Sequence, residues 1–427
     1  MKTLVLVTSQ FPFGTGESFI GSEFPILSKS FDRTLIIAQN VNGEQTRDTS
    51  GNVTVYRYNP STSLSGFLYL PVLFLINSLT IFKLVKEETG FRKTIGNHQT
   101  IKNLLNLFKK IIKAVQLRNF IRKTLLKEGI IESIIFYSYW LKTGAHAIAM
   151  LKYRDSVKIA RAHGSDIYEE KTESRYLPLL RFSAQNLNAI FFVSRHGKEY
   201  FEKKTKIGSP LFLVSYLGVE KPGFETTKAN KSDKYIIISC SNMIPLKRID
   251  LLISALVTVK SDKEIEWKHF GDGILKDELE ALAQKRLKLS NRISYRFMGH
   301  YPNAELMKYY SRNQVDLFIN TSSTEGVPVS IMEAQCYGIP VIATDTGGVK
   351  ELVTEGTGSL LPVDFDPGDL SRLIDYYVNL EEEETNSIRI NAIKNWDSNF
   401  NAASNYNSFI LKVNSIFASV KEEINHI

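Results

Sequence analysis

Two glutamates eight positions apart, Glu325 and Glu333, bracket a glycine and a proline. The apolar run 315–320 before them predicts a buried strand. Residues 328–337 predict a helix with proline in its first turn, where a missing N–H costs nothing. Glu325 is then expected in a loop at the carboxyl end of a strand, and Glu333 about two turns along the helix. This layout is typical of a site for a polyhydroxylated, phosphorylated ligand, because the N–H groups at a helix start favour a phosphate.

The same strand-loop-helix unit is repeated directly afterwards. Gly338 ends the predicted helix, residues 340–344 form a short apolar strand, and the turn Asp345–Gly348 leads into a helix expected near Val349. On spacing alone, the usual interpretation of two such glutamates is that they are surface charges of a helix. Their position after a strand and around a proline-started helix favours the ligand site.

Two further loops follow predicted strands and carry residues that suit an anion. Gly14 and Gly16 come after the first strand, and glycines let a backbone approach a phosphate, although G-x-G alone is more often a plain turn. Lys247 and Arg248 follow the strand 235–239. These two cations are placed to meet a negatively charged leaving group, and the alternative is that they are surface cations at a helix start.

One histidine also stands at the end of a predicted strand. His163 follows the strand 157–161, and Asp166 comes three residues later. A lone histidine is more often structural, but this position at a strand end makes His163 a candidate for the active site, with Asp166 a weaker one. His146, on a helix predicted over 140–151, is interpreted as structural.

The length of 427 residues exceeds one ordinary hydrophobic core, so two domains are expected. Short apolar runs alternate with helical stretches in both halves, which indicates an α/β protein with doubly wound parallel sheets. We predict a first domain over 1–218, a polar linker over 219–234, a second domain over 235–400 and a C-terminal helix over 401–427. The carboxyl ends of the two sheets are expected to face a cleft, where ligands tend to bind.

The net charge of +8 is concentrated in one segment. Ten Lys or Arg and no Asp or Glu lie between residues 92 and 127, among apolar residues at helical spacing. Such a basic amphipathic helix suits an anionic membrane, where each Lys or Arg contributes about 1 kcal/mol. The alternative is a helix packed on the first domain with idle charges. Nucleic acid is not expected as a partner, because no reading motif accompanies the charge.

Neither the amino terminus nor the cysteines indicate export. The apolar start 3–8 is too short for a signal peptide, and polar residues interrupt the segment 64–85, so a spanning helix is poorly supported. Cys240 and Cys336 show no disulfide or metal spacing, which favours buried thiols in a reducing compartment. We therefore expect a cytoplasmic protein, at most peripheral at the inner face of the membrane.

Several motifs fall in an order shared with one family: Phe297–His300, Glu325–Pro328, Met332–Ala334, Gly338–Val341 and Gly347–Val349. Together they resemble the donor half of the retaining GT-B glycosyltransferases with an E-x7-E motif. That family includes relatives of sucrose and glycogen synthases and many bacterial polysaccharide and lipid-glycan transferases. The resemblance is dense over 235–362 and thinner over 1–218. It implies two Rossmann-like domains in a GT-B fold, with part of the C-terminal stretch crossing back to the first domain.

The resemblance also implies roles for single residues. Lys247 would bind the donor diphosphate and His163 would face the donor sugar. Glu325 would bind hydroxyls of the donor sugar, and Glu333 the nucleotide ribose. Other implied donor contacts lie in loops and at a helix start: Gly14, Gly16, Gly299, His300, Tyr301, Gly326, Val327, Pro328 and Val329.

The sequence departs from the family at two positions beside the lysine. Asn242 stands where an arginine is expected, and Arg248 where a glycine is usual. We hypothesise that Arg248 supplies the missing cation, with Asn242 still close to the donor.

The activity implied by the resemblance is transfer of a sugar, with retention, from a nucleotide-diphosphate sugar to a glycan or lipid-linked acceptor. Bacterial surface-polysaccharide synthesis is the implied setting. The leaving phosphate oxygen would take the acceptor's proton, and cations and N–H groups would stabilise the leaving diphosphate. No metal or other cofactor is expected. The alternatives are a GT-B nucleotide-sugar epimerase and a non-catalytic protein that binds nucleotide sugars or membranes.

Overall fold

The computed structural model describes residues 1–14, 16–17, 19–41, 43–49, 51–59, 77–90, 101–207, 211–222, 232–288 and 290–425, with the backbone alone at 171 and 425. The chain divides into two compact units: unit 1 is Met1–Tyr216 with Tyr406–Ile427, and unit 2 is Leu217–Asn405. Some sequence predictions lie outside the described residues. They concern 64–76, the basic residues Arg92 and Lys93, and 223–231 of the predicted linker.

Unit 1 is built on a parallel sheet, which has seven strands in the described part of the chain, in the order β3-β2-β1-β4-β5-β6-β7. The strands are β1 (Thr3–Thr8), β2 (Arg33–Gln39), β3 (Val53–Tyr58), β4 (Ile134–Ser138), β5 (Ser156–Ala162), β6 (Ala189–Phe192) and β7 (Leu211–Val214). Its helices are α1 (Ile20–Lys29), α2 (77–90), α3 (Ile101–Lys127), α4 (Thr143–Ala149), α5 (Gly164–Ile167), α6 (Leu180–Asn186), α7 (Arg195–Thr205) and most of α14 (Ala402–Asn425).

Alternate residues of β1 enter two cores, one on each face of the sheet. Val5 and Val7 belong to the core that includes Leu117 and Ile121 of α3, whereas Leu4 and Leu6 belong to the other. Since both faces of a parallel sheet are covered, its strands are apolar runs rather than alternating patterns. This is why the short apolar runs predict the strands of this sheet.

The second core of unit 1 is completed by the end of the chain. In α14, Phe409, Val413 and Phe417 are buried together with Leu6 and Tyr137. The Phe409 ring centroid lies 5.2 Å from that of Tyr137. The last helix is therefore part of the hydrophobic core of unit 1.

Unit 2 contains a second parallel sheet, which has six strands among the described residues, in the order β10-β9-β8-β11-β12-β13. The strands are β8 (Tyr235–Cys240), β9 (Ile265–Phe270), β10 (Ile293–Phe297), β11 (Leu317–Asn320), β12 (Val341–Thr344) and β13 (Gly358–Leu361). The helices are α8 (Ile249–Val257), α9 (Lys276–Leu287), α10 (Asn303–Arg312), α11 (Val329–Cys336), α12 (Pro367–Val378) and α13 (Glu382–Asn399). The predicted doubly wound parallel α/β class is confirmed.

Three local predictions for unit 2 need correction. Strand β13 was not predicted. Glu333 lies about one turn along α11 rather than two, because the helix begins at Val329 with Pro328 as its N-cap. The helix expected near Val349 is a single 3-10 turn, Val349–Glu351. It ends there because the chain turns again at once, where the Thr357 N–H bonds to the Thr354 carbonyl at 3.0 Å.

Helix α3 starts at Ile101, and its apolar face is buried in unit 1. Leu107, Ile111 and Val115 pack with α2, while Leu117 and Ile121 pack on the sheet. The apolar face is therefore committed to the protein core, which fits the alternative of a packed helix. Across the described residues, no helix combines the length and apolar character needed to span a membrane.

Candidate active site

The strand order of each sheet reverses beside its first strand. In unit 2 the reversal lies between β8 and β11, which are hydrogen-bonded neighbours. Loops that leave the carboxyl ends of two such strands diverge to opposite sides, and ligands of open α/β sheets bind in the crevice between them. The loops in question here are 241–248 after β8 and 321–328 after β11. They carry seven of the fifteen predicted site residues, among them Lys247 and Glu325.

Lys247 and Glu325 meet at this point of the sheet. The Lys247 ammonium Nζ donates to the Glu325 Oε1 at 2.6 Å, with 22% and 11% of the side chains exposed. The Asn320 side-chain amide, at the end of β11, also reaches the Glu325 Oε1 at 3.4 Å. The pair predicted from sequence to serve a diphosphate and a sugar is thus brought together, half-buried and reachable by a ligand.

The two loops are joined by hydrogen bonds that position this ion pair. The Ser323 N–H donates to the Leu246 carbonyl at 2.8 Å, and the Thr321 hydroxyl donates to the Lys247 carbonyl, also at 2.8 Å. Lys247 itself ends the 3-10 helix Pro245–Lys247. Because several bonds connect the backbones, the Lys247 side chain is held toward the β11 loop.

Arg248 points into the protein rather than toward open solvent. Its guanidinium Nε donates to the Thr321 carbonyl at 2.8 Å, and one terminal nitrogen donates to the Thr344 hydroxyl at 3.3 Å. The other terminal nitrogen donates to the Val363 carbonyl, and the group lies 5.1 Å from the Phe365 ring centroid. This geometry favours a structural role for Arg248 over the diphosphate contact hypothesised from the sequence. Asn242, the position of the missing arginine, is exposed.

Glu333 is the second acid of the motif and is buried. It is 7% exposed, and its Oε1 accepts a hydrogen bond of 2.5 Å from the Asn303 side-chain amide. Burial raises the pKa of the Glu333 carboxyl to about 7, and the hydrogen bond from Asn303 acts in the opposite direction. The two acids of the motif therefore differ in environment, since Glu325 pairs with a cation and Glu333 with a neutral amide.

The segment Gly326–Val329 connects the two acids and opens α11. The Gly348 N–H donates to the Gly326 carbonyl at 2.7 Å. At Gly347, which has a φ of +59°, an added Cβ would lie 2.2 Å from the Glu325 carbonyl oxygen. The glycine pair after β12 thus allows close contact with the Glu325 backbone. The Ile331 N–H donates to the Pro328 carbonyl at 3.1 Å. This leaves the N–H groups of Val329 and Ser330 without an acceptor within the helix and suited to an anion.

Gly299, His300 and Tyr301, predicted near the base, adjoin the ends of β8 and β9. The Gly271 N–H donates to the Gly299 carbonyl at 2.9 Å, and the Tyr301 ring lies 5.1 Å from that of Phe270. At Gly271, an added Cβ would lie 1.8 Å from the carbonyl oxygen of residue 241. These residues are therefore close to the β8 loop that carries Lys247, while His300 is exposed.

His163 lies at the corresponding edge of the unit 1 sheet, directly after β5. Its Nε2 is 3.2 Å from the Tyr139 carbonyl oxygen, and its ring centroid is 4.4 Å from that of Trp140. Burial lowers the pKa of His163 to about 4. The ring is thus neutral near pH 7. Asp166 anchors the turn, since its Oδ2 accepts from the Leu141 N–H at 3.1 Å.

The loop with Gly14 and Gly16 contains an acid that sequence reasoning missed. The Glu17 carboxylate accepts hydrogen bonds from the N–H groups of Ser9 (2.8 Å) and Phe11 (2.7 Å), and from Gln10 between them. The Trp140 indole N–H donates to it as well. The backbone N–H groups that leave β1 are therefore occupied by a carboxylate of the same loop.

The two predicted glycines lie beside this arrangement. Gly14 has a φ of +62°, and an added Cβ at Gly16 would lie 2.9 Å from the Gln10 side-chain oxygen. The sequence does show a glutamate, Glu17, directly after the G-x-G loop. Its spacing does not indicate which backbone N–H groups it binds. His146, interpreted as structural, is buried and bonds to the Ser183 hydroxyl at 2.6 Å.

Comparison with known proteins links unit 2 to one family. The family model described as Glycosyl transferases group 1 matches residues 224–395. An uncharacterized glycosyltransferase of Methanocaldococcus jannaschii is 28% identical over 238 residues, which are 55% of this chain and 62% of that protein. The N-acetyl-alpha-D-glucosaminyl L-malate synthase of Bacillus anthracis is 24% identical over 237 residues, 53% of this chain and 58% of that enzyme. These matches span less than two thirds of either relative.

Solved structures with a similar fold cover nearly the whole chain. A sucrose-phosphate synthase from Thermosynechococcus elongatus gives a TM-score of 0.69 at 12% identity, over 98% of this chain and 100% of that one. Anabaena HepE in complex with UDP gives 0.62 at 18% identity, over 97% and 100%. At these identities the likeness concerns the fold. Residues 224–395 thus match the group 1 glycosyl transferases, and the fold of the chain is GT-B-like.

Proposed function

We propose that the protein is a retaining glycosyltransferase that moves a sugar from a nucleotide-diphosphate sugar to a glycan or lipid-linked acceptor. The observation that carries this proposal is the Lys247–Glu325 ion pair at the β8/β11 reversal, beside the start of α11. A cation and an acid that already face each other can exchange partners when a donor arrives. Lys247 then binds the diphosphate, and Glu325 accepts hydrogen bonds from sugar hydroxyls.

The chemistry requires that negative charge on the leaving diphosphate be stabilised. The acceptor hydroxyl oxygen forms a bond to the anomeric carbon as the bond from that carbon to the donor phosphate oxygen breaks. The hydroxyl proton passes to the leaving phosphate oxygen. Lys247 and the first N–H groups of α11 stabilise the negative charge of the leaving diphosphate. Removal of one such donor typically lowers the rate by about 10² to 10³. His163 faces the donor sugar as a neutral ring, and Glu333 binds the ribose.

The relatives support a uridine nucleotide and a bacterial glycan as the first choices. Solved structures of Anabaena HepE contain UDP, UDP with glucose, and UDP-glucose. An O-antigen biosynthesis glycosyltransferase of Escherichia coli is 30% identical over 184 residues, 43% of this chain and 48% of that enzyme. We place the protein in surface-polysaccharide synthesis in the cytoplasm, with UDP-hexoses and UDP-N-acetylhexosamines as donors.

We also assign it to the inner face of an anionic membrane. Helices α2 and α3 expose large apolar side chains, among them Leu79, Phe82 and Ile101. Exposed lysines, such as Lys109 and Lys123, lie along α3. Basic residues beside exposed apolar ones suit an anionic lipid surface.

The first prediction tests the ion pair. We expect Lys247→Ala and Glu325→Ala each to lower the turnover of a UDP-sugar by about tenfold or more, because each removes a group that contacts the transferred sugar or its leaving group. Turnover is measured as UDP release by the purified protein. Lys285→Ala and Glu278→Ala, which remove exposed charges from α9, are the matched controls and should keep wild-type turnover.

The products separate the proposal from its alternatives. Mass spectrometry of the reaction should show a new glycoside, whereas an isomerised sugar without transfer would indicate an epimerase. If the wild-type protein binds UDP-sugars but consumes none of them with any acceptor, a non-catalytic binding protein is the better description. Wild-type turnover in both variants of the ion pair would refute the assignment of Lys247 and Glu325.

A further inference from the structure

A cavity of about 300 Å³ opens at the carboxyl edge of the unit 1 sheet. It lies where the strand order reverses between β1 and β4, and its walls include Ser9 after β1 and Ser138 at the end of β4. This is the position in unit 1 that corresponds to the Lys247–Glu325 site in unit 2. Its volume is at the lower end of the range for small-molecule sites, about 300–1,000 Å³.

Three lysines line this cavity. Lys110 and Lys113 come from α3, where they are three residues apart, and Lys142 comes from the loop after β4. Burial lowers the pKa of Lys110, and the charges of Lys113 and Lys142 lower it further. The charges of Lys113 and Lys142 therefore repel the Lys110 ammonium group.

Only part of this charge is balanced by acids. Lys142 pairs with Asp166 at 3.1 Å and donates to the Ser165 hydroxyl at 2.9 Å. Among the residues that the structure describes, the ammonium groups of Lys110 and Lys113 have no hydrogen-bonding or ion-pair partner. The nearby Glu17 carboxylate already accepts backbone and indole N–H groups. The cavity thus carries a net positive charge.

The other walls provide an aromatic surface and unused hydrogen-bonding capacity. The Tyr58 hydroxyl is buried and has no partner in the described part of the chain. The Gln39 side chain also lines the cavity, and its Nε2 donates to the Thr8 carbonyl at 3.1 Å. Trp140 forms another wall, and its ring centroid lies 4.4 Å from that of His163, with the two rings tilted by 40°. The cavity therefore adjoins, through Trp140, the histidine that is proposed to face the donor sugar.

We propose that this lysine-lined cavity binds the phosphate or diphosphate group of the glycosyl acceptor. A multivalent oxyanion relieves the repulsion among the three ammonium groups and accepts hydrogen bonds from each of them. The assignment to an acceptor rests on the proposed glycosyltransferase function. The anion site itself rests on the three lysines that line one cavity and on the absence of acids among the described residues of its lining. The phosphate belongs either to a lipid-linked diphosphate or to a phosphorylated glycan, which present the same group to the lysines.

The test compares two double variants of the full chain by isothermal titration calorimetry. Lys110→Ala/Lys113→Ala removes two lysines that line the cavity, and Lys109→Ala/Lys123→Ala removes two lysines of the same helix that do not line it. We expect inorganic pyrophosphate to bind the first variant about tenfold or more weakly than wild type, because two charge-assisted hydrogen bonds are lost. The second variant should lose less than about twofold, since it keeps the cavity.

A third variant distinguishes binding in the unit 1 cavity from binding at the donor site of unit 2. A separate control checks that the double variant is folded. Lys247→Ala should lose affinity for UDP, together with any pyrophosphate binding at the donor site, but keep the pyrophosphate binding that depends on Lys110 and Lys113. Unchanged UDP affinity and melting temperature in Lys110→Ala/Lys113→Ala would show that the variant is folded. Equal losses of pyrophosphate binding in both double variants, loss in Lys247→Ala alone, or no binding by wild type would each overturn the cavity assignment.

Two further arms identify the source of the phosphate and separate this inference from the proposed function. Geranyl diphosphate that binds much more tightly than pyrophosphate would indicate a lipid-linked acceptor, and equal binding would indicate a phosphorylated glycan. If no UDP-sugar is consumed while pyrophosphate binding depends on Lys110 and Lys113, the proposed function fails and the anion site stands. If UDP-sugars are consumed while both double variants bind pyrophosphate like wild type, the cavity inference alone fails.

Discussion

The Glu333 carboxyl is a buried acid whose neighbour, Asn303, carries no charge. Its pKa of about 7 lies above the value of 4.5 expected for an exposed glutamate. Between these two values, the unfolded chain releases the proton readily, whereas the folded protein holds it. Rising pH therefore favours the unfolded state across that window, and the stability present below pH 4.5 is reduced once the pH exceeds 7.

We predict that Glu333→Gln stabilises the protein more at high pH than at low pH. The gain in free energy of unfolding should be about 2 kcal/mol larger at pH 8.5 than at pH 5.5, because glutamine cannot ionise. Urea denaturation at the two pH values measures it. Glu278→Gln, on the exposed face of α9, is the control and should show no such difference. An equal gain for Glu333→Gln at both pH values would contradict the raised pKa.

Single residues show how far the sequence could predict the site. The Glu325 loop position follows from local strand, loop and helix signals, and the structure brings it to Lys247. The orientation of Arg248 could not be predicted, because its acceptors lie 73 and 115 residues away in the chain. The contacts of Glu17 depend on backbone N–H groups, which have no sequence signature. The local sequence pattern therefore predicts the element in which a residue lies, whereas the residue's hydrogen-bonding partners depend on the fold.

Helix α3 uses its faces for different purposes. Leu107, Ile111 and Val115 belong to the core, and Lys110 and Lys113 line the cavity. Lys113 is exposed as well, and most of the other basic residues of the helix are exposed without lining the cavity. The number of charges in the segment does not distinguish the lysines that line the cavity from the other basic residues. Their positions around the helix do. The membrane prediction therefore concerns the exposed lysines that do not line the cavity.

We predict that Lys109→Glu/Lys123→Glu weakens binding to vesicles that contain phosphatidylglycerol. Each lysine near such a surface contributes about 1 kcal/mol, so reversal of both should lower the bound fraction strongly in a co-sedimentation assay. Lys285→Glu/Lys288→Glu makes the same change in net charge on unit 2 and should have little effect. Unchanged co-sedimentation of the α3 variant would leave the helix with a structural role, and equal losses would indicate net charge alone.

Most strands could be predicted from the sequence, because a strand covered on both faces is an apolar run. Strand β13 (Gly358–Leu361) was missed, since it is short, begins with glycine and is partly exposed. The turn Val349–Glu351 was expected to be a helix because a glycine pair before an apolar residue is also a common helix entry. Short elements of this kind are determined by their neighbours in the sheet more than by their own residues.

Each compact unit has its own sheet and its own reversal of strand order. The chain enters unit 2 at Leu217 and leaves it at Asn405, and the rest of α14 completes the core of unit 1. The lysine-lined cavity and the Lys247–Glu325 pair lie at the corresponding edges of their respective sheets. Ligand groups are thus expected at the same topological position in both units.

We predict that Phe409→Ala destabilises unit 1 by about 3 to 5 kcal/mol, the usual cost of removing a buried phenylalanine ring. The ring is 1% exposed and lies 4.7 Å from the ring centroid of Phe191. Chemical denaturation followed by tryptophan fluorescence measures the loss. Leu411→Ala, on the exposed face of the same helix, should cost less than about 0.5 kcal/mol. Similar losses in both variants would mean that α14 does not complete this core.

The Glu17 carboxylate takes the place of an external anion, because it accepts hydrogen bonds from the backbone N–H groups of Ser9 and Phe11 directly after β1. The loop therefore keeps its shape without an anion from solution. The loss of conformational entropy that orders the loop occurs when the protein folds, not when a ligand binds. The cavity lysines, rather than the loop, would then select among anions, because their long side chains can adjust to ligands of different size. A few lysine substitutions could thus change the preferred anion without rebuilding the loop, which makes this edge of the sheet a convenient place for specificity to evolve.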